Sequence, residues 1–324
     1  MQFILRCSAM YSLVLGFTIF ILSCEADKLE KEIASIPVDF EFIRFDLEFA
    51  NTSLDSLNHI KKKYPYFFPS SVPDSIWKSK MNDSLQQQLQ FEVAKVFPEN
   101  DDLQFEIKHR FQAIKYYFPD FIVPKTVLTT TSDVEYHYKV ILTDTLVILS
   151  LDTFLGSDHD LYRGVYDYIK VGMTPDHIGP ELAIAFLDNH MIHINRPTLI
   201  EAMIQEGQKL YAAQKLCSSA SEALLLHYTE DEYLWAQSNA RFVWEYLIAN
   251  DYLFSTQPQL FNRFIAPAPF SKFYMDIDQE TPGALGVFVG LQIVKTYMER
   301  IDVDLNTLLN TRPEVIFNAA KYKP

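Results

Sequence analysis

The sequence predicts an α+β protein that is mostly helical and carries a small three-stranded antiparallel sheet in the middle of the chain. Two patterns support this fold class. Before residue 122 and after residue 180, apolar residues recur at the three- and four-residue spacing of helices that bury one face. Between residues 123 and 154 they recur at every second position, which is typical of half-buried strands. Strands flanked on both sides by helical segments favour the α+β class.

The first 23 residues predict a lipoprotein signal peptide. Arg6 supplies a positive charge, residues 11–22 are almost wholly apolar, and Ile21-Leu22-Ser23-Cys24 has the pattern of a bacterial lipobox. We therefore expect lipidation of Cys24, with an uncleaved membrane anchor as the alternative. Acyl chains would hold the protein on a membrane of the bacterial cell envelope, outside the cytoplasm. Residues 24–35 predict a short tether, and residues 36–324 predict a single domain.

Composition narrows the classes of function. The formal net charge is −14, and such a surface repels phosphate backbones, so we expect no binding to nucleic acid. Cys7 leaves with the signal peptide and Cys24 carries lipid, so Cys217 alone remains and no intramolecular disulfide forms. Stability must come from packing, for which 25 Phe, 18 Tyr and 3 Trp residues are the predicted means.

Two helix starts precede the predicted strands. Asn82 or Asp83 can cap a segment with apolar residues at helical spacing, and Asp101-Asp102 can start another. Upstream, two prolines in residues 64–69 forbid a continuous helix.

The three predicted strands are consecutive in the sequence. Residues 125–131 are rich in threonine, residues 134–142 alternate apolar with polar side chains, and residues 146–149 are apolar. Thr143-Asp144 predicts the turn between the last two strands. Short connections of this kind predict an antiparallel meander.

A helix after residue 178 carries the first candidate ligands. Gly179-Pro180-Glu181 is a favourable helix opening. We expect this helix to run to about Arg196, where Pro197 stops it. His190 and His193 would then share one helix face.

The next helix supplies a third candidate ligand. Thr198 and Glu201 fit a capping box at its start, and Glu206 falls in its inward stripe, where an apolar residue is expected. Together with His190 and His193, an inward glutamate suits zinc, because a divalent cation neutralises the carboxylate and orients both imidazoles. A structural interpretation also stays open, in which Glu206 only hydrogen-bonds one or both histidines.

Four features together resemble one family. They are the lipobox, LDTFLGSD at residues 151–158, the Glu206-Gly207 pair, and TPGALGVFVGLQIV at residues 281–294. In this order the chain resembles the gliding motility lipoprotein GldB family over most of its mature length. That family is similar to predicted zincin-like metallopeptidases, whose active helix carries H-E-x-x-H and whose next helix supplies a glutamate beside glycine. The resemblance implies a zincin-like fold and a part in gliding motility and the associated type IX secretion machinery, facing the periplasm.

The catalytic pattern of that enzyme class is incomplete in this chain. If His193 is aligned with the second motif histidine, Asn189 stands at the first and His190 at the catalytic glutamate. A metallopeptidase needs that glutamate to take a proton from zinc-bound water. If His190 is aligned as a ligand, the three-residue spacing to His193 can chelate, but no base is in place. We therefore expect no catalytic residue and no cofactor, with a vestigial site at His190, His193 and Glu206.

Three functions stand as hypotheses. The leading one is a non-catalytic accessory lipoprotein that binds other gliding or secretion proteins of the envelope through a groove or an aromatic patch. The alternative is a zinc-dependent metallopeptidase that uses His190, His193 and Glu206. A third is binding of a cell-wall or surface glycan, for which exposed Tyr and Trp side chains in a cleft would be the sign.

Overall fold

The structure is a computed structural model that describes residues 28–99 and 101–324. The predicted signal peptide and the predicted lipidation site Cys24 lie outside these residues. Within the described ranges, no helix combines the length and the apolar character that crossing a membrane requires.

The described strands form one mixed sheet of four. Its order is β1-β2-β4-β3, in which β1 pairs parallel with β2, β2 parallel with β4, and β4 antiparallel with β3. The two central strands are largely buried because both faces of the sheet are covered there, and β4 is an almost continuous apolar run. The strands are β1 (Glu41–Ile43), β2 (Thr126–Thr130), β3 (Val140–Leu142) and β4 (Leu146–Ser150).

The predicted three-stranded antiparallel sheet is wrong in strand number and in direction. Segments of all three predicted strands are strands, and the chain does turn between β3 and β4, but β2 and β4 run parallel. The predicted middle strand is short because Asp133 and Val134 adopt left-handed backbone conformations, with φ of 59° and 62°. The first strand, β1, was not predicted, because three residues carry too little periodicity.

A buried aspartate in the LDTFLGSD segment, residues 151–158, explains why the predicted middle strand is short. Asp152 is fully buried, and its carboxylate accepts hydrogen bonds from the backbone N–H groups of Ser132 (2.9 Å) and Val134 (2.7 Å). The hydroxyl of Tyr162 donates to the backbone carbonyl of Asp152 (2.8 Å). A buried carboxylate satisfied by backbone donors thus fixes the strained loop that shortens β3.

Helices make up most of the remaining described chain, and two of their starts confirm sequence predictions. Asp83 accepts from the backbone N–H of Gln86 at one start, and the predicted capping box of Thr198 and Glu201 forms at another. The helices are α1 (residues 28–34), α2 (Phe45–Ala50), α3 (Leu57–Lys63), α4 (Asp74–Asn82), α5 (Ser84–Val96), α6 (Asp102–Tyr117), α7 (Asp167–Lys170), α8 (Ile178–Asp188), α9 (Leu199–Leu216), α10 (Glu222–Leu225), α11 (Glu230–Ser238), α12 (Ala240–Ala249), α13 (Pro258–Phe264), α14 (Leu285–Arg300), α15 (Leu305–Asn310) and α16 (Pro313–Ala320).

The two faces of the sheet pack against different cores. Val127, on one face, belongs to the main core, which is built largely from α5, α6, α8, α9 and α14. Leu128, on the other face, packs against a smaller aromatic core from α2 to α4. In that smaller core the rings of Phe45 and Phe67 stack with centroids 4.6 Å apart.

Helices α6, α8 and α9 form a bundle with two poles. At the first, which we call the Glu106 pole, Arg110 donates to the backbone carbonyl of Leu216 at the end of α9, and the Glu106 carboxylate lies against Gly179 at the start of α8. At the second, the Phe118 pole, Phe118 contacts Phe186 near the end of α8, with ring centroids 5.0 Å apart. Helices α6 and α8 therefore run parallel, and α9 runs antiparallel to both.

Helices α9 and α14 cross at two glycines. A Cβ atom placed on Gly290 would overlap the backbone carbonyl of Met203, and one placed on Gly207 would overlap the backbone of Gly290. The two helix backbones are therefore in direct contact, which only glycine permits.

Part of the predicted tether packs on the folded body. Ile33 in α1 is only 3% exposed. On α6, Gln112 Nε2 donates to the backbone carbonyl of Ala34 (2.7 Å), and His109 Nε2 contacts the carboxylate of Glu30. Helix α1 thus lies along α6.

Replacing Gly290 with alanine should destabilise the protein by roughly 3 kcal/mol, because the added methyl group forces α9 and α14 apart. Urea denaturation would measure the change. Gly164→Ala is the matched control, since no atom lies within 4 Å of a Cβ at Gly164. Equal stability of the two variants would contradict the proposed backbone contact.

Candidate functional site

Helix α8 ends at Asp188, so the prediction that it runs to about Arg196 is wrong. Three side chains take up carbonyl groups of its last turn. Asn189 donates to the carbonyl of Ala185 (3.2 Å), His190 Nδ1 to that of Phe186 (2.7 Å), and His193 Nε2 to that of Asp188 (2.7 Å). Polar side chains that bind these carbonyls stabilise a helix end. The helix therefore stops well before the proline.

The end of α8 places both candidate histidines on the surface. A carbonyl oxygen only accepts hydrogen bonds, so the proton lies on Nδ1 of His190 and on Nε2 of His193. Both rings are exposed, His190 in the turn after the helix and His193 in the following loop. They do not share a helix face.

Glu206 pairs with a lysine. Lys209 Nζ lies 2.9 Å from Glu206 Oε2 and 3.0 Å from Asp188 Oδ1. Burial disfavours the charge on Lys209, but the two carboxylates outweigh burial, and the pKa of Lys209 is raised. This ion-pair network joins the end of α8 to α9.

The three predicted ligands are not brought together. Among the residues that the structure describes, no hydrogen bond or ion pair joins either histidine to Glu206, and no three His, Cys, Asp or Glu residues form a group suited to a metal ion. In this arrangement an ammonium group holds the carboxylate that zinc would need, so the residues do not fit a zinc site as they stand. Zinc binding through His190, His193 and Glu206 stays a prediction.

A groove of about 950 Å³ lies at the Phe118 pole and includes His190. Its walls come from the segment after α6, the β3–β4 turn and the end of α8, and we call it the α8 groove. The groove is lined by Tyr117, Phe118, Pro119, Asp120, Phe121, Ile122, Val123, Lys125, Leu142, Thr143, Asp144, Thr145, Phe186, Asn189, His190 and Asn306.

The floor of the α8 groove is aromatic and tightly packed. Phe118 and Phe121 each meet Phe186 edge to face, with ring centroids 5.0 Å apart. His190 stacks on Phe186 at 4.0 Å. Because Phe186 is fully buried, this floor is held in place by the core and offers a preformed apolar surface.

The rim of the α8 groove carries an exposed aliphatic residue and free charges. Ile122 lines the groove and is 80% exposed at its mouth. Asp120, Lys125 and Asp144 make no ion pair with any residue in the described parts of the chain. Apolar and charged groups thus surround the opening without internal partners.

A buried polar cluster lies near the other end of α8. Lys139 Nζ, beside β3, contacts Glu181 Oε1 at 2.7 Å, and His227 Nε2 lies 3.6 Å from the same oxygen. The rings of His177 and His227 are 5.1 Å apart. Burial raises the pKa of Glu181, but Lys139 and His227 lower it by more. The ion pair therefore ties α8 to β3, whose far end forms a wall of the α8 groove.

Little in the sequence indicates this cluster. His177 and His227 are 50 positions apart in the sequence, so no local spacing relates them. The four-residue spacing of His177 and Glu181 at a helix start is the one local signal. In the structure His177 is 4% exposed, its Nδ1 bonds the Thr174 hydroxyl at 2.7 Å, and its Nε2 has no hydrogen-bond partner.

Lowering the pH should destabilise the protein through His177. Burial, followed by the charges of His227 and Lys139, lowers the pKa of His177 from 6.5 to about 4. Between these values the unfolded chain binds a proton that the folded chain rejects. Stability from the neutral imidazole is therefore present above pH 6.5 and is lost as the pH falls to about 4, by about 3 kcal/mol.

Urea midpoints measured across this range would test the linkage. We expect a smaller fall for His177→Phe than for the unmodified protein, with a remainder from His227, whose pKa burial also lowers. Identical pH profiles for the two proteins would refute the assignment to His177.

Removing the Lys139 ammonium should also destabilise the fold. Lys139→Met leaves the Glu181 carboxylate largely buried without its partner, at a cost of about 3 kcal/mol. Adding Glu181→Gln removes the unpaired charge, and we expect the double variant to recover part of the loss in a urea titration. A double variant less stable than Lys139→Met would contradict this role.

Comparison with known proteins identifies a family. A family model described as gliding motility protein GldB matches residues 26–324. No curated protein and no solved structure matches the chain significantly. The designation of the family as lipoproteins agrees with the predicted lipid on Cys24 and with a place in the cell envelope. Because the match spans nearly the whole chain, the protein belongs to the GldB family of gliding motility proteins.

Proposed function

We propose that this protein is a non-catalytic accessory lipoprotein of the gliding motility and type IX secretion machinery. It is anchored to a membrane of the envelope through lipid on Cys24 and faces the periplasm. It acts by binding other envelope proteins, and it binds neither nucleic acid nor a cofactor. Membership of the GldB family supports the part in gliding motility. The binding role and the link to secretion are our proposal.

The α8 groove is the observation that carries the binding role. Its rigid aromatic floor and the free charges on its rim are the combination typical of binding sites, an apolar centre with polar groups around it. Ile122 at the mouth is available to a partner. A protein segment with an apolar anchor side chain would bury both the floor and the rim.

The residues around the predicted catalytic positions support a role without catalysis. Asn189 and His190 bind carbonyl groups of their own helix end. Glu206 is neutralised by Lys209. A hydrolytic centre needs a base within reach of metal-bound water, and neither alignment of the motif supplies one.

Mutation of His193 separates this proposal from the zinc metallopeptidase. His193 is exposed, lies outside the residues that line the α8 groove, and in the described part of the chain its ring hydrogen-bonds the carbonyl of Asp188. We expect His193→Ala cells to spread on agar like the parent, and we expect elemental analysis of the purified protein to find no stoichiometric zinc. Stoichiometric zinc that disappears in the variant, together with lost motility, would establish the peptidase instead.

Mutation of Ile122 tests the groove. Ile122→Asp places a charge at the mouth of the α8 groove, and because the side chain is 80% exposed the fold should be kept. We expect partner affinity to fall roughly tenfold or more, with reduced colony spreading. Leu234→Asp is the matched control, since Leu234 is 56% exposed and lies outside the groove. Equal colony spreading by both variants would show that the α8 groove does not bind the partner.

A further inference from the structure

Helix α1 brings the lipid-bearing end of the chain to the Glu106 pole of the bundle. The Glu30 carboxylate contacts His109 in the middle of α6. The Ser218 hydroxyl, just after the end of α9, lies 3.5 Å from the same carboxylate. Helix α1 then runs toward Gln112, further along α6. The chain therefore enters the folded body beside the first half of α6 and the end of α9.

The chain that connects Cys24 to this entry point is short. Four residue steps separate Cys24 from Lys28, the first described residue. Fully extended, they reach at most about 14 Å. A lipid on Cys24 would therefore hold the start of α1 within about 14 Å of the bilayer surface, whereas a long flexible tether would allow free rotation.

An exposed aromatic side chain stands next to the entry point. Phe105 is 68% exposed, and its ring stacks on His109 with centroids 6.4 Å apart. Phe105, His109, Gln112 and Tyr116 lie on one face of α6, at spacings of three and four residues. Helix α1 covers the middle of this stripe and leaves Phe105 uncovered at the end where the lipidated chain arrives.

From this arrangement we propose that the Glu106 pole docks on the lipid bilayer, with Phe105 inserted at its surface. The proposal rests on the lipid anchor proposed above. Aromatic side chains at the level of the head groups are a common membrane contact, because the ring is buried while its surroundings stay hydrated. Docking would also place the α8 groove, at the Phe118 pole, on the side that faces away from the bilayer.

The charges around the pole favour an apolar contact over an electrostatic one. Lys28 pairs with Glu32 at 3.8 Å, and Arg110 pairs with Glu106 at 2.7 Å. Among the described residues these two cations are each paired with a carboxylate, so neither is free to recognise anionic lipids. The contact should therefore be the same on neutral vesicles and in high salt.

The chain offers a matched reporter position at the other end of the bundle. Phe254 is 69% exposed, and Leu199, the first residue of α9, donates to the carbonyl of nearby Ser255 (2.9 Å). Helix α9 has 18 residues and is therefore roughly 27 Å long. Phe254 thus stands near one end of α9 and Phe105 near the other.

The test uses the full-length lipidated protein on phosphatidylcholine vesicles. Phe105→Cys or Phe254→Cys, each with Cys217→Ala, carries a nitroxide spin label, and collision rates with oxygen and with a water-soluble nickel chelate are compared. Oxygen concentrates in the bilayer and nickel stays in water. We expect the ratio of the collision rate with oxygen to the collision rate with nickel to be several-fold higher at position 105 than at position 254. This difference should be present at low and at high salt.

Flotation with the vesicles tests the lipid anchor separately from the docking of the Glu106 pole. Protein that floats but shows equal ratios at the two positions would overturn the docking alone. Protein that fails to float would overturn the lipid anchor and the docking with it. A flexible insert of about 20 residues between Asp27 and Lys28 should lower the ratio at position 105. An unchanged ratio would contradict the argument from tether length.

Discussion

The contact between the backbones of α9 and α14 is the constraint on which the rest of the structure depends. Gly207 and Gly290 let the two helices touch, so their distance and angle are fixed without any side chain between them. Helix α9 in turn holds α6 through Arg110 at the Glu106 pole and α8 through Lys209 at the other. Gly207, which follows Glu206 in the pair that resembles the GldB family, therefore serves helix packing.

The ion pair between Lys139 and Glu181 transmits this constraint from the helices to the sheet. It joins α8 to the edge strand β3, and the same two elements continue into the walls of the α8 groove. A helix laid along an edge strand also protects that strand from pairing with other chains. The contact between α8 and β3 therefore contributes both to the geometry of the groove and to the protection of the strand.

Features that depend on neighbouring residues, such as helix starts, were predicted correctly from the sequence. Capping residues marked helix starts correctly. The prediction from sequence failed where residues far apart in the chain determine the local structure. The loop at Asp133 and Val134 is set by the carboxylate of Asp152, and the parallel pairing of β2 with β4 is invisible to alternation, which does not encode strand direction. The buried cluster was missed because its members meet only after folding.

The end of α8 shows how such an error propagates to function. Periodicity placed His190 and His193 on one helix face, but the carbonyl groups of the last turn bind Asn189 and both histidines and end the helix at Asp188. His190 then becomes part of the floor of a groove. The most direct test of a binding role is photocrosslinking in gliding cells from Asn189, beside a control at Leu234. The account predicts one discrete envelope-protein adduct from Asn189 alone. Adducts of equal yield from both positions, or cleaved peptides in their place, would contradict it.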